Sequence, residues 1–368
     1  MKRKQKIIFV AGARPNFMKI ACLLKECRRQ PAVRPVLVHS GQHYDAAMSD
    51  RFFKDLDIPA PQYCLGAGSG SHAEQTAKVL TAFERVCLKE KPAVVVVVGD
   101  VNSTVAACLA AKKLNIPVAH VEAGLRSFDR TMPEEVNRIV TDSISDFLFV
   151  TEASGVDNLR REGHAADTIH FVGNTMIDSL IVGLKKIREA DKRSWATAPL
   201  TESLKTYGVL TLHRPVNVDD KRQLKRLISM IADVTQQIPV IFPAHPRTRK
   251  NMETFRIRIP ARMHCLEPLG YLEFLSLCRD AKFVLTDSGG IQEETTFLHV
   301  PCLTLRSSTE RPVTLGEGTN ILVGDKIARV PGLVRRILRG QSRQGRVPAL
   351  WDGKASKRII RILVRAFS

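Results

Sequence analysis

The 368-residue chain is 44% hydrophobic and 25% charged, enough apolar material for the cores of two α/β domains, and its longest apolar run falls far short of the roughly 20 residues a membrane span needs. A formal charge of +19 suits a polyanionic partner, yet the basic residues are scattered through helical stretches, concentrated from Arg335 to Arg365, without aromatic interleaving or a nucleic-acid motif, so no nucleic-acid role is expected. Eight cysteines with no Cys-x-x-Cys pair argue against a zinc or disulfide framework, and the N-terminal MKRKQK runs straight into the short IIFVAGA, unlike a signal peptide, which points to a cytoplasmic protein.

In chain order, KIIFVA, VRPVLVH, AVVVVVG, PVAHVE, FLFVT and TIHFV are β-branched runs, each followed by a turn or helical pattern. That alternation predicts a parallel, doubly wound sheet. From Asn174 to about Ser203 the pattern reads as a long helix and then a polar, proline-containing connection, TAPLTESL. A second series follows: YGVLTLH, PVIFPAH, MHCLEPL, KFVLTD, PCLTLR and NILVGD. The expected architecture is therefore α/β, with two Rossmann-like lobes over residues 1–173 and 174–354. A last amphipathic helix over 355–368 can cap either lobe.

Ligands of open α/β sheets bind beyond the carboxyl ends of the strands, so strands that run directly into polar or glycine-rich sequence deserve inspection. The first ends in GARPNFMK, placing Gly12, Arg14 and Lys19 where cations and a helix N-terminus suit an anion. The third ends in Gly99-Asp100 before VNST, where Asp100, Asn102 or Ser103 can equally cap a helix. The fourth delivers Glu122 and Arg126, either a partly buried acid suited to proton transfer or an ion pair. In TMPEEVNR, Pro133 fits a first helical turn, and Glu134 and Arg138 share a face, the usual spacing of an exposed pair. His213 and His245 end strands of the second series, but no ligand cluster accompanies them and no metal site is expected. The strongest local signal is TDSGGIQEE: Ser288, Gly289 and Gly290 open a helix with Glu293 and Glu294 in its first turn, the pattern of a nucleotide diphosphate site. Arg311 in STERP adds a plausible phosphate contact.

Together GARPNFMK, Gly99-Asp100, HVEAGLRS, MPEEVNR, VGNTMID, LTLHRP, LTDSGGIQEE and STERPVTLGEGTN resemble, in order and spacing and over nearly the whole chain, the non-hydrolysing UDP-N-acetylglucosamine 2-epimerases. The resemblance implies a glycosyltransferase-B-like fold with an interdomain cleft, a UDP-sugar substrate, no cofactor and a homodimer. It implies a reaction that eliminates UDP to a 2-acetamidoglucal and adds it back with inversion at carbon 2. By motif position, Asp100, Glu122 and Glu134 correspond to the carboxylates at the sugar, and Arg138 and His213 to residues that assist UDP departure. Arg14 and Lys19 correspond to first-lobe phosphate contacts, Ser288, Gly289, Gly290 and Glu294 to diphosphate and ribose contacts, Arg311 to a further UDP contact, and Phe274 to a residue near uracil.

The chain departs from that pattern in places. Asn16 replaces the glutamate of an R-P-E motif and Val216 that of HR-x-E-N. Ser69 and Gly70 stand where substrate-activated members carry Arg-Gln, although Gln42 and His43 persist, so weak or no substrate activation is expected. Two other readings fit part of the pattern. A hydrolysing relative would release UDP and N-acetylmannosamine. A non-catalytic UDP-sugar-binding regulator would have little need of Asp100, Glu122, Glu134 and His213.

Overall fold

The computed structural model describes residues 4–41 and 53–367, which form two compact units, 1–181 with 349–368 and 182–348. The division falls after Ile181, inside the helix Thr175–Glu189, rather than at Asn174. Gln42 and His43 lie outside the described residues.

The first unit is built on seven parallel strands: β1 (Gln5–Ala11), β2 (Val33–His39), β3 (Tyr63–Cys64), β4 (Val94–Val98), β5 (Val118–Ala123), β6 (Phe147–Val150) and β7 (Ile169–Phe171), in the order β3-β2-β1-β4-β5-β6-β7. Helices cover both faces of such a sheet, so its central strands need no polar alternation. β4 is accordingly five consecutive valines, all buried. Each contributes about 1.5–3 kcal/mol of apolar burial.

The C-terminal helix Ala355–Phe367 belongs to this first unit. Ile359, Ile360 and Leu363 face the core, and Phe367 meets Phe147 edge-on at 5.8 Å between ring centroids. Asp178 caps the helix, accepting from the amides of Ala355 (3.2 Å) and Ser356 (2.6 Å).

The second unit repeats the plan with β8 (Gly208–Thr211), β9 (Val240–Pro243), β10 (Met263–Leu266), β11 (Val284–Thr286), β12 (Cys302–Thr304) and β13 (Asn320–Leu322), all parallel in the order β10-β9-β8-β11-β12-β13. TAPLTESL is not an irregular connection. Ala198–Leu204 is a helix with its proline in the first turn, where the missing amide hydrogen has no helical partner to lose. In both sheets the strand order reverses at one point, between β1 and β4 and between β8 and β11, where connections leave in opposite directions and open a crevice at the carboxyl edge. No helix among the described residues is long and apolar enough to cross a membrane.

Candidate functional site

The carboxyl edge of the first sheet gathers most of its candidate residues at the β1/β4 reversal. Lys19, in the second turn of the helix Arg14–Arg28, forms an ion pair with Glu122; their side chains are only 7% and 6% exposed. Glu122 has φ +77, a left-handed conformation that costs a non-glycine residue about 1–3 kcal/mol, and it sits where the β5–β6 register slips between Val121 and Ala123. The slip turns the strand so that its one carboxylate meets Lys19. Gly99, at φ +67, packs beneath the pair: a Cβ there would lie 2.8 Å from Lys19 Nζ. Asn16 fills the remaining space, its Oδ1 accepting from the amides of Gly12 (3.2 Å) and Ala13 (2.9 Å) while its Nδ2 donates to the Val98 carbonyl at 3.0 Å. A glutamate could not make that last donation, so the departure at this position is matched to its surroundings.

Asp100 follows β4 with its side chain 25% exposed and forms an ion pair with the buried Arg138. Arg138 also donates to Glu135 at 2.9 Å, and Glu135 accepts from the amides of Ser127 and Phe128, both at 2.9 Å. The expected Glu134–Arg138 pair therefore does not form. Arg138 turns into the protein toward Asp100 and Glu135, and Glu134 stays half-buried in the first turn of Pro133–Ile144, without a hydrogen bond or ion pair among the described residues. The Glu122–Arg126 alternative fails as well, because i,i+4 neighbours meet on a helix and Glu122 lies in a strand. Arg126 instead pairs with Asp142 (2.7 Å) and Glu162 (2.6 Å). Neither Asn102 nor Ser103 caps the next helix: both lie inside Asn102–Lys113, behind Val101. Arg14 is the first residue of its helix and half-buried; burial holds its guanidinium below the ordinary value, with Asp55 opposing.

At the β8/β11 reversal of the second sheet, His213 is exposed and its Nδ1 lies 2.8 Å from Asp287. Asp287 also accepts from the amides of His213 (3.1 Å) and Arg214 (3.0 Å) and from Asn217 Nδ2 (3.1 Å). Burial would raise this carboxyl, but the His213 hydrogen bond and charge and those donors outweigh it and hold it below the usual carboxylate range. With Nδ1 committed to Asp287, the outer ring nitrogen of His213 is the one left to meet a ligand. Val216, beside it, is 73% exposed. His245 accepts the Arg247 amide as a helix cap.

Ser288 is the N-cap of Gly289–Leu298, so Gly289 and Gly290 are its first two residues and their amide hydrogens lack helical partners. Arg311 is buried against this turn, its Nη1 2.7 Å from where a Gly289 Cβ would stand, and it pairs with Glu293 (3.0 Å) and Glu310 (2.7 Å). Glu293 and Glu294 lie in the second turn of the helix, one turn later than expected, because the helix begins at the first glycine. Phe274 is half-buried against the core around Tyr207, Ile241 and Leu277.

Burial, reinforced by neighbouring Glu293 and opposed by a hydrogen bond from Tyr271, pushes the Glu294 carboxyl up to about 8. A carboxyl raised above its unfolded value stabilises the fold in full below about 4.5, and this contribution is lost as the pH rises to about 8, by about 1.4 kcal/mol per pH unit. Glu294→Gln is therefore expected to flatten stability between pH 6 and 8, measured by urea unfolding. Parallel pH profiles for variant and wild type would refute this.

Sequence reasoning passed over Asp287, Glu135, His120 and Asp142, which support the expected residues from behind. Asp287, Glu135 and His120 lie inside the motifs TDSGGIQEE, MPEEVNR and HVEAGLRS, the only signal that pointed to them.

A profile of the UDP-N-acetylglucosamine 2-epimerase family matches residues 25–364. UDP-N-acetylglucosamine 2-epimerase of Methanocaldococcus jannaschii is 43% identical over 365 residues, 97% of this chain and 98% of that protein. UDP-2,3-diacetamido-2,3-dideoxy-D-glucuronate 2-epimerase of Pseudomonas aeruginosa is 40% identical over 98% of this chain and 99% of that protein. The crystal structure of the Methanocaldococcus jannaschii UDP-GlcNAc 2-epimerase in complex with UDP-GlcNAc and UDP superposes with a TM-score of 0.90 at 42% identity, covering 98% of this chain and all of that one. The chain belongs to the UDP-N-acetylglucosamine 2-epimerase family.

Proposed function

We propose that the protein interconverts UDP-N-acetylglucosamine and UDP-N-acetylmannosamine without hydrolysing them. The observation that carries the reading is the pair of carboxylates, Asp100 and Glu122, that stand at the carboxyl ends of adjacent strands and are each matched to a buried cation, Arg138 and Lys19.

Inversion at carbon 2 needs a base that takes the proton from one face and an acid that returns one to the other. As the carbon 2–hydrogen bond breaks, its electron pair forms the carbon 1–carbon 2 double bond and the carbon 1–oxygen bond electrons leave with UDP. Re-addition reverses both movements, with the proton arriving on the opposite face. No redox partner is required. Asp100, Glu122 and Glu134 supply three carboxyl groups for the proton transfers, and Arg138 and His213 offset charge on the departing diphosphate. Arg14 and Lys19 add cationic charge at the first sheet. In the second unit the Gly289–Gly290 amides and Arg311 hold the diphosphate, Ser288 and Glu294 meet the nucleotide, and Phe274 packs near the base.

A Cβ at Gly289 would stand 2.7 Å from Arg311 Nη1, so a side chain there would displace the Arg311 guanidinium from this turn. Gly289→Ala is expected to weaken UDP binding about tenfold or more by calorimetry, since overpacking costs about 1–3 kcal/mol. Unchanged affinity would count against the diphosphate site.

The proposal is tested by incubating the purified protein with UDP-N-acetylglucosamine and separating the products. UDP-N-acetylmannosamine at equilibrium with the starting sugar supports it. Free UDP with N-acetylmannosamine would establish the hydrolysing reaction instead. The relationship to the Pseudomonas aeruginosa enzyme supplies a second substrate to assay in parallel, UDP-2,3-diacetamido-2,3-dideoxy-D-glucuronate, and turnover of that sugar alone would replace the substrate assignment.

A further inference from the structure

We infer that His120, a side chain that does not reach the protein surface, is a positioning residue that fixes the placement of Asp100 and Glu122; the inference rests on the epimerase reading above. His120 is fully buried on β5, two residues before Glu122, and both of its ring nitrogens are engaged. Nε2 lies 2.8 Å from the carbonyl of Gly99 and Nδ1 lies 2.6 Å from Asp142 Oδ1. The Gly99 carbonyl shares a peptide plane with the Asp100 amide, so holding one orients the start of the other residue. Gly99 needs that hold because its φ of +67 departs from strand geometry and it has no side chain to restrict it.

Asp142 extends the clamp to the second carboxylate. Its Oδ2 accepts from the Gly124 amide at 3.0 Å and from Arg126 at 2.7 Å, fixing the chain where it leaves β5 just after the strained Glu122. Burial alone would raise the Asp142 carboxyl, but the hydrogen bonds and charges of His120 and Arg126 outweigh it and hold it low, as an anion between two donors. One imidazole thus ties the ends of β4 and β5 together through polar groups on both sides. Neither His120 nor Asp142 is among the residues placed at the substrate.

Two variants separate the two bonds. An asparagine amide falls near the position of Nδ1 and can still reach Asp142, whereas a glutamine amide falls near Nε2 and can still reach the Gly99 carbonyl. His120→Asn, which leaves that carbonyl without its donor, is expected to lower kcat roughly 30- to 100-fold with KM for UDP-N-acetylglucosamine within about threefold, since misplacing reacting groups by about 1 Å can cost a factor of this order. His120→Gln is expected to retain activity within about tenfold of wild type, with both proteins melting cooperatively. Wild-type kcat in His120→Asn, or equal loss of kcat in both variants, would overturn the inference. Should His120→Asn fail to fold, a folded His120→Gln with less than about 1% of wild-type kcat would overturn it as well. Absence of turnover in the wild-type protein would instead refute the epimerase reading, so the two failures are distinguishable.

Discussion

Asp100→Asn is expected to lower turnover of UDP-N-acetylglucosamine by roughly a hundred- to ten-thousand-fold, the usual cost of losing a positioned acid or base, while UDP affinity stays within a few-fold. The split follows from where the side chain stands. Asp100 lies at the carboxyl end of the first sheet with a quarter of its side chain open, and its replacement removes a proton-transfer group without emptying any part of the Gly289–Gly290 turn. The change does not orphan Arg138, which keeps Glu135 at 2.9 Å, so the variant should fold. Glu134→Gln tests the same idea on a carboxylate that has no hydrogen bond or ion pair among the described residues. The pair of measurements is kcat by product chromatography and UDP affinity by calorimetry. Near-normal kcat in both variants would remove the carboxylates from the reaction.

Lys19→Met should cost about 3–5 kcal/mol of stability in the first unit, the penalty for leaving one charge of a buried pair without its counterion. The pair is almost completely enclosed, and Glu122, having lost this cation, would be held in a strained backbone conformation beside Gly99. The double variant Lys19→Met/Glu122→Gln is expected to recover a substantial part of the loss, because an amide in the same place carries no charge to desolvate. Neither variant should turn over substrate at the wild-type rate, so here stability and function are read separately. Hydrogen exchange of β1, β4 and β5 amides localises the effect to the first unit. A loss below about 1 kcal/mol in the single variant would mean that the ion pair contributes little to the fold.

Much of this organisation was legible in the sequence because it rests on local pattern. The twelve apolar runs became twelve strands, since a β-branched run bounded by Gly, Pro or Asp has few alternatives when helices cover both of its faces. The thirteenth strand, Tyr63–Cys64, has two residues and no such run, and pairing with β2 defines it. TAPLTESL was misread because a proline that stops a helix from within can also start one.

The partners of the charged residues were less legible, because they are long-range. Spacing suggested Glu122 with Arg126 and Glu134 with Arg138. Glu122 instead meets Lys19, from the helix after β1, and Arg138 reaches back to Asp100 after β4. Motif position identified these residues as a set, but the sheet order, which brings β1, β4 and β5 side by side, decides how they pair. Likewise the buried His120–Asp142 couple reads in sequence as an ordinary strand residue and an ordinary helix residue. Its role becomes visible only when both of its hydrogen-bonded neighbours are in place.

The central claim is proton transfer at carbon 2 through a glycal, and a proton NMR time course with UDP-N-acetylglucosamine in deuterium oxide tests it most directly. Epimerisation by elimination and re-addition should give UDP-N-acetylmannosamine whose carbon 2 carries deuterium from the solvent, with the same label washing into the remaining substrate. Formation of the epimer with its original proton retained at carbon 2, or no change in either sugar, would contradict the account.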